Sequence, residues 1–218
     1  GTVGEIITDV MNSRGKGVRP SLLLLMAKLG PNYLQNQQRL FRLASLAEFI
    51  HMASLIHDDI VDDSVLRRGN PTIQAKYGKD MAVYAGDLIL SQTLLIILRD
   101  NLLDSGMLLA QTIQDMCKGE INQAACRYKF DVTQDEYYKN IYGKTASMFV
   151  TVCKVGGLES GCSPDIVELI DNPKITPDFP EDLMWENLFP VIRVPGTQDE
   201  SKNYICYEVD DMSELSRN

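Results

Sequence analysis

The stretch Ile56-His57-Asp58-Asp59-Ile60-Val61-Asp62-Asp63-Ser64-Val65-Leu66-Arg67-Arg68-Gly69 decides how this chain is read. It closes a strongly apolar run of helical character over residues 40–60. At helical spacing Asp58 and Asp62 are four residues apart and share a face, with Asp59 alongside. Carboxylates so arranged repel one another and make sense if something cationic joins them. Hard oxygen donors without cysteine or a histidine pair suit Mg²⁺, which keeps several waters and shares its remaining positions with a substrate phosphate. Arg67 and Arg68 follow within two turns and could hold that phosphate. Taken in isolation, the same residues also describe a solvated acidic helix end followed by a basic turn.

Toward the N-terminus, residues 2–13 alternate apolar and polar at helical period and predict a first helix. Gly15-Lys16-Gly17-Val18-Arg19-Pro20 then breaks it. Glycine lets backbone approach a ligand closely, and Pro20 suits the first turn of the next helix, predicted over 21–29. The positive end of that helix would join Lys16 and Arg19 in an anion site, the alternative being a solvated basic loop. The central helix is predicted over 40–63. On it, Ala53 and the small Ser54 lie about one turn before Asp58, and His51 lies on the same stripe, seven residues before Asp58. A lone histidine in an apolar helix is as readily a satisfied core residue as a ligand.

Residues 69–78 read as a loop, followed by helices over 81–98, 106–123 and 133–155. The first contains Gly86-Asp87, and an aspartate in so apolar a run needs a partner. The second ends in Lys118-Gly119-Glu120-Ile121-Asn122-Gln123, and the third carries Gly143-Lys144-Thr145-Ala146-Ser147 and is expected to end at Gly156-Gly157. Another helix begins over 162–170. At residue 171 the composition changes: Pro173, Pro177 and Pro180 exclude a helix interior. A short helix over 181–187 and two short strands over 190–194 and 204–209 follow, with the acidic run Asp210-Asp211-Met212-Ser213-Glu214 read as tail. The expected class is therefore all-α, with a helical domain over 1–170 and a non-helical Pro-rich, short-strand tail over 171–218.

The 218 residues suffice for one substantial core, and 44% apolar with 23% charged content is ordinary for a globular chain. A net charge of −9 excludes a nucleic-acid surface, which would need a basic stripe. An anionic ligand must be drawn in by local arginines and lysines and a metal. Five cysteines without metal-ligand spacing suggest reduced thiols in the cytoplasm. No signal peptide is recognised, and no apolar run is expected to be long enough to cross a bilayer.

With Asp58-Asp59-x-x-Asp62 followed by Arg67-Arg68-Gly69, the chain resembles the trans-isoprenyl diphosphate synthases, the all-helical prenyltransferases, at their first aspartate-rich motif. Gly15-Lys16-Gly17-Val18-Arg19-Pro20 looks like that family's isopentenyl diphosphate clamp, and Gly143-Lys144-Thr145 like its later lysine-threonine motif. The three motifs stand in the family's order, and the resemblance covers about residues 1–170. It implies an isoprenoid-synthase-type helical bundle around a central cavity. The implied reaction condenses isopentenyl diphosphate with an allylic prenyl diphosphate to a linear, medium- or long-chain polyprenyl diphosphate. Asp58, Asp59 and Asp62 would hold Mg²⁺, and Lys144 and Arg67 would grip the allylic diphosphate beside Thr145. Lys16, Arg19, His51 and Arg68 would hold isopentenyl diphosphate, with Glu120 and Gln123 facing the cleft. Small Ala53 and Ser54 would leave room for a long product. A homodimer and a peripheral membrane contact for product release are implied too. The family's second aspartate-rich motif, preceded by Phe-Gln, has no counterpart here. A non-catalytic prenyltransferase-like subunit or truncated form is thus a second reading. A terpene cyclase, which also uses DDxxD, has no need of Lys16-x-x-Arg19.

Overall fold

The computed structural model describes residues 1–13, 15–126, 133 and 142–171, without the side chains of Lys144 and Asp171. The expected tail over 171–218, most of the helical stretch before Gly143, and Cys206 lie outside the described residues. Within them the chain is helical: α1 (Thr2–Asn12), α2 (Val18–Ala27), α3 (Gln37–Val61), a two-residue pair β1 (Leu66–Arg67) and β2 (Asn70–Pro71), α4 (Ile73–Tyr77), α5 (Lys79–Arg99), α6 (Leu103–Cys126), a π turn (Tyr142–Ala146), α7 (Ser147–Glu159) and α8 (Pro164–Asp171). The all-α expectation holds.

Helix α3 is central because it is apolar around most of its circumference, as a helix wrapped by others must be. Leu40, Leu43, Leu46, Ala47 and Ile50 from its first half join Leu23 and Ala27 of α2, Leu109 of α6, and Met148, Val152 and Val155 of α7 in one core. Met52, Ala53 and Ile56 from its second half join Ile6 and Val10 of α1 and Ala82, Ala85 and Ile89 of α5 in another. Helix α2 opens at Gly17, whose φ of 63° is a left-handed conformation that glycine adopts without strain. Pro20 is its third residue, where a missing N–H costs no helical hydrogen bond.

Three junctions are tied through Glu159 at the end of α7. Its carboxylate pairs with Arg39 of α3 and accepts a hydrogen bond from Ser105 of α6 at 2.5 Å. Its carbonyl accepts from Asn36 Nδ2 at 2.7 Å, and Arg39 also donates to the carbonyl of Asn101 between α5 and α6.

Several expectations need correction. Gly156 and Gly157 do not end a helix; both are buried within α7, which runs on to Glu159 and is followed by Gly161 at φ 80°. A Cβ on Gly156 would stand 2.3 Å from the Leu23 carbonyl oxygen, so the pair is there to let α7 approach α2. The 69–78 loop contains α4, capped by Thr72, whose Oγ1 accepts from Ala75 N–H at 3.2 Å. Helix α5 also overturns the expectation about span-length runs: its 21 residues reach a mean hydropathy of 1.8 over 18 of them, long and apolar enough to cross a bilayer by length and composition. One third of that stretch is buried, with Ala82, Ala85 and Ile89 packed in the core beside Met52, Ala53 and Ile56 of α3.

An alanine inside a helix normally stabilises it over glycine. At Gly156 the sign should reverse. Gly156→Ala is expected to lower unfolding stability by about 1–3 kcal/mol through overpacking against Leu23, read as a drop in urea midpoint. A raised midpoint would mean that α2 and α7 are not in such close contact.

Candidate active site

The acidic turn sits at the C-terminus of α3, the negative end of the helix dipole and an unfavourable place for carboxylates. Local structure offsets this. Asp59 is buried, at 6% exposure, and accepts from Arg67 Nε at 2.9 and 3.1 Å, with Arg67 Nη2 at 2.8 Å. Asp63, in a left-handed conformation at φ 52°, pairs with Lys79 at 2.8 Å. Gln74 of α4 donates through Nε2 to the carbonyls of Asp59 (2.5 Å) and Ser64 (2.8 Å), closing off the helix end. Asp58 is half-buried and Asp62 exposed, one turn apart at the rim.

Of the residues expected to hold metal and diphosphate, Asp59 and Arg67 are engaged with each other here. Among the described residues, no three His, Cys, Asp or Glu side chains converge as a metal cluster. Helical spacing puts two carboxylates on one face but does not tell which of Asp58, Asp59 and Asp62 turns inward.

The segment after α3 returns as a hairpin unseen in the sequence: Leu66 pairs with Pro71 and Arg67 with Asn70. Its central residues, Arg68 (φ 53°) and Gly69 (φ 80°), both have positive φ, as a type I′ turn requires. An arginine in this conformation costs about 1 kcal/mol. The turn carries the exposed Arg68 to the clamp loop, where a Cβ on Gly15 would stand 2.8 Å from Arg68 Nη1. From the other side comes Arg19, half-buried in the first turn of α2, with its guanidinium carbon 4.7 Å from the Phe149 ring centroid.

His51 lies among these groups. Burial first, then the charges of Arg19, Arg68 and Arg67, push its pKa down to about 4. It is therefore a neutral imidazole at physiological pH, while burial holds the Arg19 guanidinium below its ordinary value without discharging it. A cavity of about 300 Å³ opens here, lined by Gly15, His51, Met52, Asp59, Arg67 and Arg68 among others. Lys16 is exposed beside it in sequence.

Other expected residues fall elsewhere. Ser54 is half-buried and donates to the His51 carbonyl at 2.8 Å. Ala53 is fully buried in the core against α1 and α5, so a larger side chain there would meet packed atoms rather than open tunnel. Thr145 and Gln123 are exposed and Glu120 half-buried, while the Lys144 side chain lies outside the described residues. The π turn bearing Lys144 and Thr145 leans on α6: a Cβ on Gly143 would stand 2.8 Å from the Asp115 carbonyl oxygen. Such turns recur at functional sites. Sequence reasoning did not single out His57. Its Nε2 lies 3.4 Å from Asp87, and a Cβ on Gly86 would stand 2.3 Å from the same atom. Asp87 is 63% exposed, so solvent meets the need that its apolar helix raised.

Comparison with known proteins follows the same outline. Residues 2–172 match the family model described as polyprenyl synthetase. Residues 163–218 match a second family model, YomW. The chain is similar to heptaprenyl diphosphate synthase component 2 of Geobacillus stearothermophilus, with 38% identity over 168 residues, 77% of this chain and 52% of that one. In structure it resembles a decaprenyl diphosphate synthase from Rhodobacter capsulatus, with TM-score 0.70 and 31% identity over 78% of this chain and 51% of that one. It also resembles a polyprenyl synthase from Caulobacter crescentus complexed with calcium and isoprenyl diphosphate, with TM-score 0.67 and 27% identity over 78% of this chain and 55% of that one. The chain spans about half the length of these relatives.

A histidine whose folded pKa is about 4 against an ordinary 6.5 binds its proton more readily in the unfolded chain. Its contribution to stability is therefore complete above pH 6.5 and is lost as pH falls from 6.5 toward 4. His51→Gln should flatten that part of the stability profile, measured by urea unfolding at a series of pH values. An unchanged slope would remove His51 from the arginine cluster.

Proposed function

The chain belongs to the polyprenyl synthetase family, and from that premise we propose that its helical unit holds two diphosphates and transfers a prenyl group between them. Isopentenyl diphosphate would be extended by an allylic prenyl diphosphate to a linear, medium- or long-chain polyprenyl diphosphate. One observation carries the reading: Arg19, Arg67 and Arg68 gather about His51, immediately beside the Asp58–Asp62 turn. An anion subsite and a two-carboxylate rim meet at one helix end.

That rim fits Mg²⁺, which proteins often hold with one or two carboxylates while substrate phosphates complete its shell. Asp58 and Asp62 would be its ligands, and bound there it would supply Lewis-acid stabilisation of a departing diphosphate. Asp59 would serve differently: by holding Arg67 it fixes the turn that leaves Asp62 exposed and carries Arg68 to the Gly15 loop. Arg19 and Arg68 would grip the diphosphate of isopentenyl diphosphate, with Lys16 at the cavity mouth. Neutral His51 would serve as a donor or acceptor, since it carries no charge at working pH. Lys144 and Thr145 on the π turn would hold the allylic partner, with Gln123 nearby in the same reading. The half-buried Ser54 is the better probe of product length than the packed Ala53. A homodimer is supported by the apolar face of α5 and α6, where Tyr84, Leu94, Leu98 and Met107 are more than half exposed. Light scattering is expected to give twice the 24.4 kDa chain mass. A cytoplasmic setting, with a peripheral membrane contact at product release, belongs to the same proposal.

The test is incubation of the chain with isopentenyl diphosphate, an allylic diphosphate and Mg²⁺, followed by product analysis. A linear polyprenyl diphosphate supports the synthase; a cyclic hydrocarbon would replace it with a cyclase. Mg²⁺-dependent diphosphate binding without turnover would favour a ligand-binding subunit, a reading prompted by the relative named as component 2. Asp58→Asn and Asp62→Asn are expected to lose at least about 100-fold of the Mg²⁺-dependent signal with stability unchanged. Asp59→Asn should instead lower stability by about 1–3 kcal/mol, because it strips a buried partner from Arg67. If all three variants behave alike, the division of roles drawn here is wrong.

A further inference from the structure

The Arg19 guanidinium is held in an unusual way. Its Nε is buried with no hydrogen-bond partner among the described residues, and no ion pair joins it to a carboxylate there. Glu48 attracts it only through space. What covers it is the ring of Phe149, 4.7 Å from the guanidinium carbon to the ring centroid. A ring face is attracted to a cation and stacks on the planar guanidinium without neutralising it. A carboxylate in the same place would hold Arg19 as firmly but would cancel the charge that an anionic ligand needs. The ring face attracts the guanidinium and leaves its charge uncancelled.

Phe149 lies in the first turn of α7, directly after the π turn that carries Lys144 and Thr145, and is half-buried. We propose that Phe149 is a positioning residue for isopentenyl diphosphate, acting through Arg19 by holding its guanidinium over the ring face while leaving its charge intact. This rests on the reading of Arg19 as part of the isopentenyl diphosphate subsite. It adds a physical link between two motifs that sequence spacing treats as separate, because the helix bearing one of them supports the arginine of the other.

The experiment is calorimetric titration of the full chain with isopentenyl diphosphate. Phe149→Leu is expected to weaken binding roughly 3- to 20-fold, and Phe149→Tyr to keep it within about twofold. Progressive fluorination of the Phe149 ring preserves its shape while draining its face of negative charge, so affinity should fall stepwise with each fluorine. In an Arg19→Met background, Phe149→Leu should cost nothing further, an outcome that a purely structural role for the ring would not give. If the wild-type chain binds and the fluorinated series is flat, the inference is overturned and the subsite reading stands. If the wild-type chain does not bind isopentenyl diphosphate at all, the subsite reading fails and takes the inference with it. Should Phe149→Leu not fold, the fluorinated series alone decides.

Discussion

The ion pair between Arg67 and Asp59 holds in place a helix end that would otherwise repel itself. Asp58, Asp59, Asp62 and Asp63 crowd the negative pole of α3. Arg67 takes one carboxylate, Lys79 another, and Gln74 ties down the exposed carbonyls. Without the pair, the hairpin that presents Arg68 would lose its side-chain tie to α3.

The positive side of the site is built to a different rule. Its charge rests on guanidinium groups, which stay protonated at any physiological pH. His51, beside them, is kept neutral by burial and by those same guanidiniums. Glycine sets the spacing of the parts: Gly15 makes room for Arg68, Gly86 for His57 and Gly143 for the α6 backbone.

Much of this was legible in the sequence, for identifiable reasons. The long helices were found because 3.6-residue periodicity survives over their length. The clamp and the acidic turn were found because glycine, proline and clustered charge are local signals. What escaped detection depended on contacts across the chain. The direction of Asp59 is set by Arg67 eight residues later, through a hairpin whose turn has Arg68 in a conformation that sequence patterns assign to glycine or asparagine. Gln74 looks like a loop residue until its amide is seen to close the α3 terminus. The Gly156-Gly157 pair resembles a helix stop, because the requirement it meets, close approach to the Leu23 carbonyl, belongs to another helix.

Helix α3 contributes to both hydrophobic clusters without a break: Leu40 to Ile50 face one, and Met52 to Ile56 the other. No glycine or proline interrupts it between Gln37 and Val61. The two clusters consequently share a single stiff rod, with no joint at which one could come apart while the other survived. Backbone amides near Ile50 should exchange with solvent only when the whole helical unit opens, which makes the acidic turn at the end of the rod as long-lived as the core that supports it.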